Sequence, residues 1–181
     1  MSTEQLSPGT APAEGPPSPA VIEELVENAR AHAAEFDNGD LPLPPRRKLA
    51  VLACMDSRLD IFAMLGLGVG EAHVIRNAGG VVSDDMIRSL ALSQRRLGTR
   101  SIMLVHHTDC GMQVVGDEEF RESLRREVGE EPSWDVPTSM DLAESVRKSM
   151  QRIRTSPFIP YTDDVHGFIY DVATGELTRV T

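Results

Sequence analysis

The sequence predicts an α/β domain: a mainly parallel central sheet of about four strands, an antiparallel edge strand, and helices on both faces. Three observations lead there. KLAVLACM (48–55) is an apolar run of strand length without alternation, as expected for a parallel strand covered on both faces, and SIMLVHH (101–107) reads as a further buried strand. Helical stretches separate the strand-like runs, and strand–helix alternation with short connections implies a parallel sheet. The closing segment VHGFIYDVATGELTRV (165–180) reads as strand, turn at Thr174-Gly175, strand, which supplies the antiparallel edge.

In chain order, residues 1–20 are rich in Pro, Ser, Ala, Gly and Glu and almost lack large apolar side chains. Such a stretch cannot offset its own ordering entropy, so a disordered N-terminal extension is expected before a single domain over 21–181. VIEELVENARAHAAEF (21–36) places Val21, Leu25, Ala29 and Ala33 on one helical face. Asn38-Gly39 ends that helix, and LPLPP leads into the first strand. DSRLDIFAMLGL is a turn and a short helix, and AHVIRNAGG is a second strand running into a glycine-bearing loop. Ser83 and Asp84 cap a helix from about Asp85 to Leu97, stopped by Gly98. DEEFRESLRREV is a charged helix, and residues 140–154 form an amphipathic one.

Bulk properties narrow the function. The chain has 181 residues, a net charge of −10 and two cysteines. An acidic surface repels nucleic-acid backbones, so no nucleic-acid partner is expected. No run approaches the ~18 apolar residues of a membrane span. The N-terminus lacks the basic and apolar regions of a secretory signal. Two cysteines do not make a disulfide framework; a reducing, cytoplasmic setting with free thiols is expected.

Both cysteines fall at strand C-terminal ends, where open α/β sheets gather function. Cys54 ends the first strand, and Cys110 follows the third by three residues. His107 and Cys110 can share one metal, and Cys54 can join them if the first and third strands are neighbours. Two thiolates and an imidazole suit zinc, and three protein ligands leave the open position of a catalytic site. His106 and His107 point to opposite faces of a strand, so one of them is a ligand at most. The spacing to Cys110 favours His107 and leaves His106 as a packed histidine. Asp56 and Arg58 follow Cys54 closely. A carboxylate there can complete the metal's coordination or accept a hydrogen bond from metal-bound water, and a guanidinium can hold it ionised through two donors.

Three segments together, Cys54-Met55-Asp56-Ser57-Arg58, Arg76-Asn77-Ala78-Gly79-Gly80 and His107-Thr108-Asp109-Cys110-Gly111, resemble the β-class carbonic anhydrases, in the short form without a long C-terminal extension. The resemblance spans about residues 48–181. It implies zinc on Cys54, His107 and Cys110, one ion per chain. It also implies an Asp56/Arg58 dyad, substrate lined by Asn77, Ala78, Gly79 and Gly111, and a homodimer or dimer-based oligomer with the N-terminal helix over the partner. The implied reaction is reversible hydration of carbon dioxide to bicarbonate, with zinc-bound hydroxide as nucleophile. The resemblance also allows a closed state in which Asp56 is a fourth ligand. Three rivals remain: a carbon disulfide or carbonyl sulfide hydrolase on the same scaffold, a non-catalytic zinc module, and a thiol enzyme using Cys54 or Cys110.

Overall fold

The computed structural model describes residues 19–113, 116–135 and 141–181. They fall into two compact units divided between Leu41 and Pro42. The first contains helix α1 (Pro19–Ala34). It starts two residues before the expected Val21, because proline is well suited to a first helical position. Val21, Ile22, Leu25 and Val26 are all solvent-exposed along it. Of the extension expected to be disordered over 1–20, residues 1–18 fall outside the described residues, and Pro19 and Ala20 belong to α1.

The second unit is built on β1 (Leu49–Cys54), β2 (Ala72–Asn77), β3 (Ser101–His107), β4 (Val165–Tyr170) and β5 (Leu177–Val180). Their order is β2-β1-β3-β4-β5. The first four are parallel, and β5 runs antiparallel on the edge beside β4. This is the sheet the sequence predicts. Strand β1 lies between β2 and β3, so the chain reverses its direction of travel across the sheet at β1. The crevice beyond the C-terminal ends of β1 and β3 is the ligand position of such sheets.

Alternation along the strands sends successive side chains to opposite faces. Ala50, Leu52, Ile102 and Leu104 pack on one face with residues of α3 (Asp84–Leu97) and α5 (Leu142–Thr155), among them Leu90, Val146, Met150 and Ile153. Val51, Ala53 and Val105 pack on the other with Leu59 and Ile61 of the loop and short helix α2 (Ile61–Leu65). Ser83 caps α3 by accepting from the Met86 amide, and Asp141 caps α5 by accepting from the Glu144 amide. The charged helix α4 (Asp117–Val128) buries no residue among those described.

Helix α5 approaches β4 at Gly167, where an added Cβ would lie 2.1 Å from Val146 Cγ1. A strand glycine normally weakens a strand; here it marks a close approach of packed layers. No described helix is long and apolar enough to cross a membrane.

Candidate active site

The β1–β3 adjacency brings together residues more than fifty apart in sequence. Cys54 closes β1, His107 closes β3, and Cys110 sits on the turn that follows. Their ligand atoms all lie within 4.8 Å of one another, and all three residues are buried. The two sulfurs are 3.9 Å apart and unbonded. Two thiolates ~2.3 Å from a tetrahedral zinc stand about 3.8 Å apart, so this spacing fits the ion.

The His107 ring is oriented for the same purpose. Its Nδ1 lies 2.8 Å from the Thr108 carbonyl oxygen, which can only accept, so Nδ1 carries the proton. That leaves the lone pair on Nε2, which is buried and has no hydrogen-bond partner. A carbonyl fixing the tautomer of a ligating imidazole is a regular feature of zinc sites. His106 follows Ile102 and Leu104 onto the face under α3 and α5, and it stands outside the cluster.

Electrostatics support a cation between these groups. The hydrogen-bond contact with Cys110 pulls the Cys54 thiol well below its ordinary range, against burial. The same contact pushes Cys110 up. The pair thus shares one proton where a metal ion would displace it. Burial disfavours charge on His107, but the Cys54 sulfur and the Asp56 carboxylate raise its pKa overall.

Beside the cluster, Asp56 and Arg58 form a bidentate pair. Arg58 Nε donates to Asp56 Oδ1 at 3.0 Å and Nη2 to Oδ2 at 2.7 Å. The Arg58 amide also donates to Oδ1 at 2.9 Å, closing a tight turn. This Arg58 contact holds the Asp56 carboxyl well below the usual carboxylate range. Asp56 Oδ2 lies 3.7 Å from His107 Nε2, on the margin of the ligand cluster.

Two side chains without an assigned role in the sequence reading also hold the site. Arg76 reaches across from β2, donating to the Cys54 carbonyl at 2.9 Å and the Asp56 carbonyl at 2.6 Å. Asp109 accepts from Arg58 Nη1 at 2.7 Å, and its carbonyl accepts from Nη2 at 2.8 Å. An arginine and an acid inside two of the three motif segments were the available signals.

The expected lining residues sit on the same rim. Asn77 pairs in register with Cys54, donates its side-chain amide to the Val81 carbonyl, and leaves Oδ1 buried without a partner. Ala78, Gly79 and Gly80 form a short 3-10 turn, and Gly111 opens the turn after Cys110.

Comparison with known proteins places this geometry. The family model for carbonic anhydrase matches residues 49–177. β-Carbonic anhydrase 1 of Mycobacterium tuberculosis is 50% identical over 161 residues, covering 89% of this chain and 98% of that protein. The chain belongs to the β-carbonic anhydrases. A carbonic anhydrase structure from Streptococcus mutans superposes with a TM-score of 0.82 at 41% identity, covering 88% of this chain and 97% of that one. A carbon disulfide hydrolase from an Acidianus species is 32% identical over 161 residues, covering 76% of this chain and 79% of that protein. β-Carbonic anhydrases are zinc enzymes, and the Cys54–His107–Cys110 cluster supplies a matching donor set.

His106 gives this carbonic anhydrase a testable pH response. Burial lowers its pKa from 6.5 to about 4. Between those values the unfolded chain takes up a proton that the folded chain refuses. The stabilising term is therefore intact above about pH 6.5 and shrinks as pH falls. From pH 7.5 to pH 5, wild type should lose roughly 2 kcal/mol more than a His106→Gln variant. Denaturant midpoints at the two pH values measure it; equal losses would contradict a neutral buried His106.

Proposed function

We propose that the chain catalyses reversible hydration of carbon dioxide, with zinc held by Cys54, His107 and Cys110. The observation that carries this reading is the convergence of the three donors beside an ionised, clamped Asp56 carboxylate. Zinc held by these three residues would supply the Lewis acidity that makes a nucleophile of water near neutral pH. The rest is done by the chain. Asp56, kept charged by Arg58, accepts a proton in a hydrogen bond and orients the attacking oxygen. Asn77, Ala78, Gly79 and Gly111 shape the space in which carbon dioxide and bicarbonate lie. Val105 and Leu59, buried in one cluster with Cys54 and Cys110, pack behind the ligand cysteines.

Stopped-flow hydration of CO2, run against sulfide release from CS2, tests the substrate. Faster turnover of CO2 is expected, in keeping with the higher identity to the mycobacterial carbonic anhydrase than to the carbon disulfide hydrolase. Preferential sulfide release would overturn the assignment. Asp56→Asn should retain one zinc per chain and lose activity on the order of 10²-fold. Wild-type turnover in that variant would remove the carboxylate from the mechanism.

We also propose a homodimer in a reducing, cytoplasmic compartment. The two free buried thiols support the compartment. Exposed Val21, Ile22 and Leu25 of α1, with Glu23, Glu24 and Glu27 on the same turns, support the dimer. A groove on α3 offers complementary chemistry for a second copy's α1: Ile87, Leu92 and Phe158 rimmed by Arg88, Arg95 and Arg96. Sedimentation should show a dimer for wild type and a monomer-shifted species for Leu25→Glu. An unchanged dimer in that variant would exclude α1 from the interface.

A further inference from the structure

Arg58 is nearly half exposed, yet it must hold a fixed direction for Asp56 to be of use. Its contact with Asp56 does not achieve that alone. The two residues lie two positions apart on one loop, and Arg76 ties that loop to β2 but not to the turn that carries Cys110. A long exposed side chain that is not tied elsewhere keeps much of its rotamer freedom.

Asp109 provides the tie. It lies on the turn between His107 and Cys110, 51 positions from Arg58. Its carboxylate accepts from Nη1, and its carbonyl accepts from Nη2, which also donates to Asp56 Oδ2. The guanidinium is thus held from two sides, by the loop after β1 and by the loop after β3. The backbone of Asp109 is left-handed, with φ 54°. That conformation is uncommon outside glycine, and aspartate is among the residues that tolerate it. After Asp56, Asp109 is the next largest influence raising the pKa of Arg58.

We propose that Asp109 is a positioning residue: it locks the Arg58 guanidinium to the ligand-bearing turn and so fixes the Asp56 carboxylate relative to the metal site. This rests on the functional reading above. It assigns Asp109 an effect on turnover without contact with substrate.

Two variants test it, because glycine and asparagine both accept a left-handed backbone. Asp109→Gly removes the carboxylate, and Asp109→Asn keeps its shape without the charge. Zinc should stay at one per chain in both. The kcat/KM for CO2 should fall about tenfold in the glycine variant and less in the asparagine variant. Hydrogen exchange of the Arg58 Nε–H, followed by 15N NMR and assigned with Arg58→Lys, should speed up severalfold in Asp109→Gly. Unchanged Arg58 exchange, or wild-type kcat/KM in the glycine variant, would overturn the proposal. Activity lost together with zinc would also overturn it, because Asp109 would then be a scaffold of the ligand turn. If wild type hydrated no CO2, the functional reading would fall, while the exchange comparison would still decide the clamp.

Discussion

Cys54→Ala protein is expected to carry no stoichiometric zinc and to hydrate CO2 no faster than buffer. The site has three protein donors among the described residues, and Cys54 contributes one of two thiolates that carry the charge compensating a dication. With alanine, His107 and Cys110 remain as a pair on one turn, too few to hold zinc against dialysis. The fold should survive. Cys54 is buried at the end of β1, but deleting a single sulfur at a strand end leaves only a small void, worth about 1–2 kcal/mol. Circular dichroism should therefore match that of zinc-stripped wild type while metal analysis reads near zero. Retention of one zinc per chain, with full hydration activity, would sink the ligand assignment.

Gly80→Ala should damage fold and site together. Gly80 has φ +66°, and a Cβ there would lie 2.8 Å from the Cys54 amide nitrogen, 3.0 Å from the Ala53 carbonyl carbon and 3.2 Å from the Val105 carbonyl oxygen. All three are backbone atoms of β1 and β3, the two innermost strands of the site, and have little room to yield. A left-handed alanine costs about 1–2 kcal/mol and overpacking of this kind about 1–3 more. Together they correspond to a fall in melting temperature of roughly 10 °C for a chain of this size. Relief of the contact has to push the end of β1 away from β3, which spreads the sulfurs and weakens zinc binding. Calorimetry and a zinc competition titration on one sample check both effects. An unchanged melting temperature with unchanged zinc affinity would mean that the Gly80 turn has more freedom than its contacts indicate.

The sheet was legible because its inner strands are covered on both faces. LAVLAC and the IMLV centre of SIMLVHH carry that burial as apolar runs, and Ser83 and Gly98 mark the ends of α3. The metal cluster was legible for a different reason: thiols and imidazoles are scarce in this chain, and three of them fall at strand ends. Their meeting still required β1 and β3 to be neighbours, a fact about the sheet that no local pattern encodes. Asp109 and Arg76 were harder to find. Arg76 donates to backbone carbonyls, which every residue possesses, and Asp109 meets an arginine 51 positions away. Neither contact leaves a periodicity in the sequence. Gly167 reads as a weak point in a strand until Val146 is seen against it. The apolar face of α1 was read as a helix face, and in the structure Val21, Ile22, Leu25 and Val26 stand exposed along it.

Zinc content and CO2 hydration measured on the same preparation test the central claim most directly. One zinc per chain is predicted, with a hydration rate that scales with zinc content, disappears on chelation and returns when zinc is restored. Stoichiometric zinc without hydration at any pH, or hydration that persists after the metal is stripped, would contradict it.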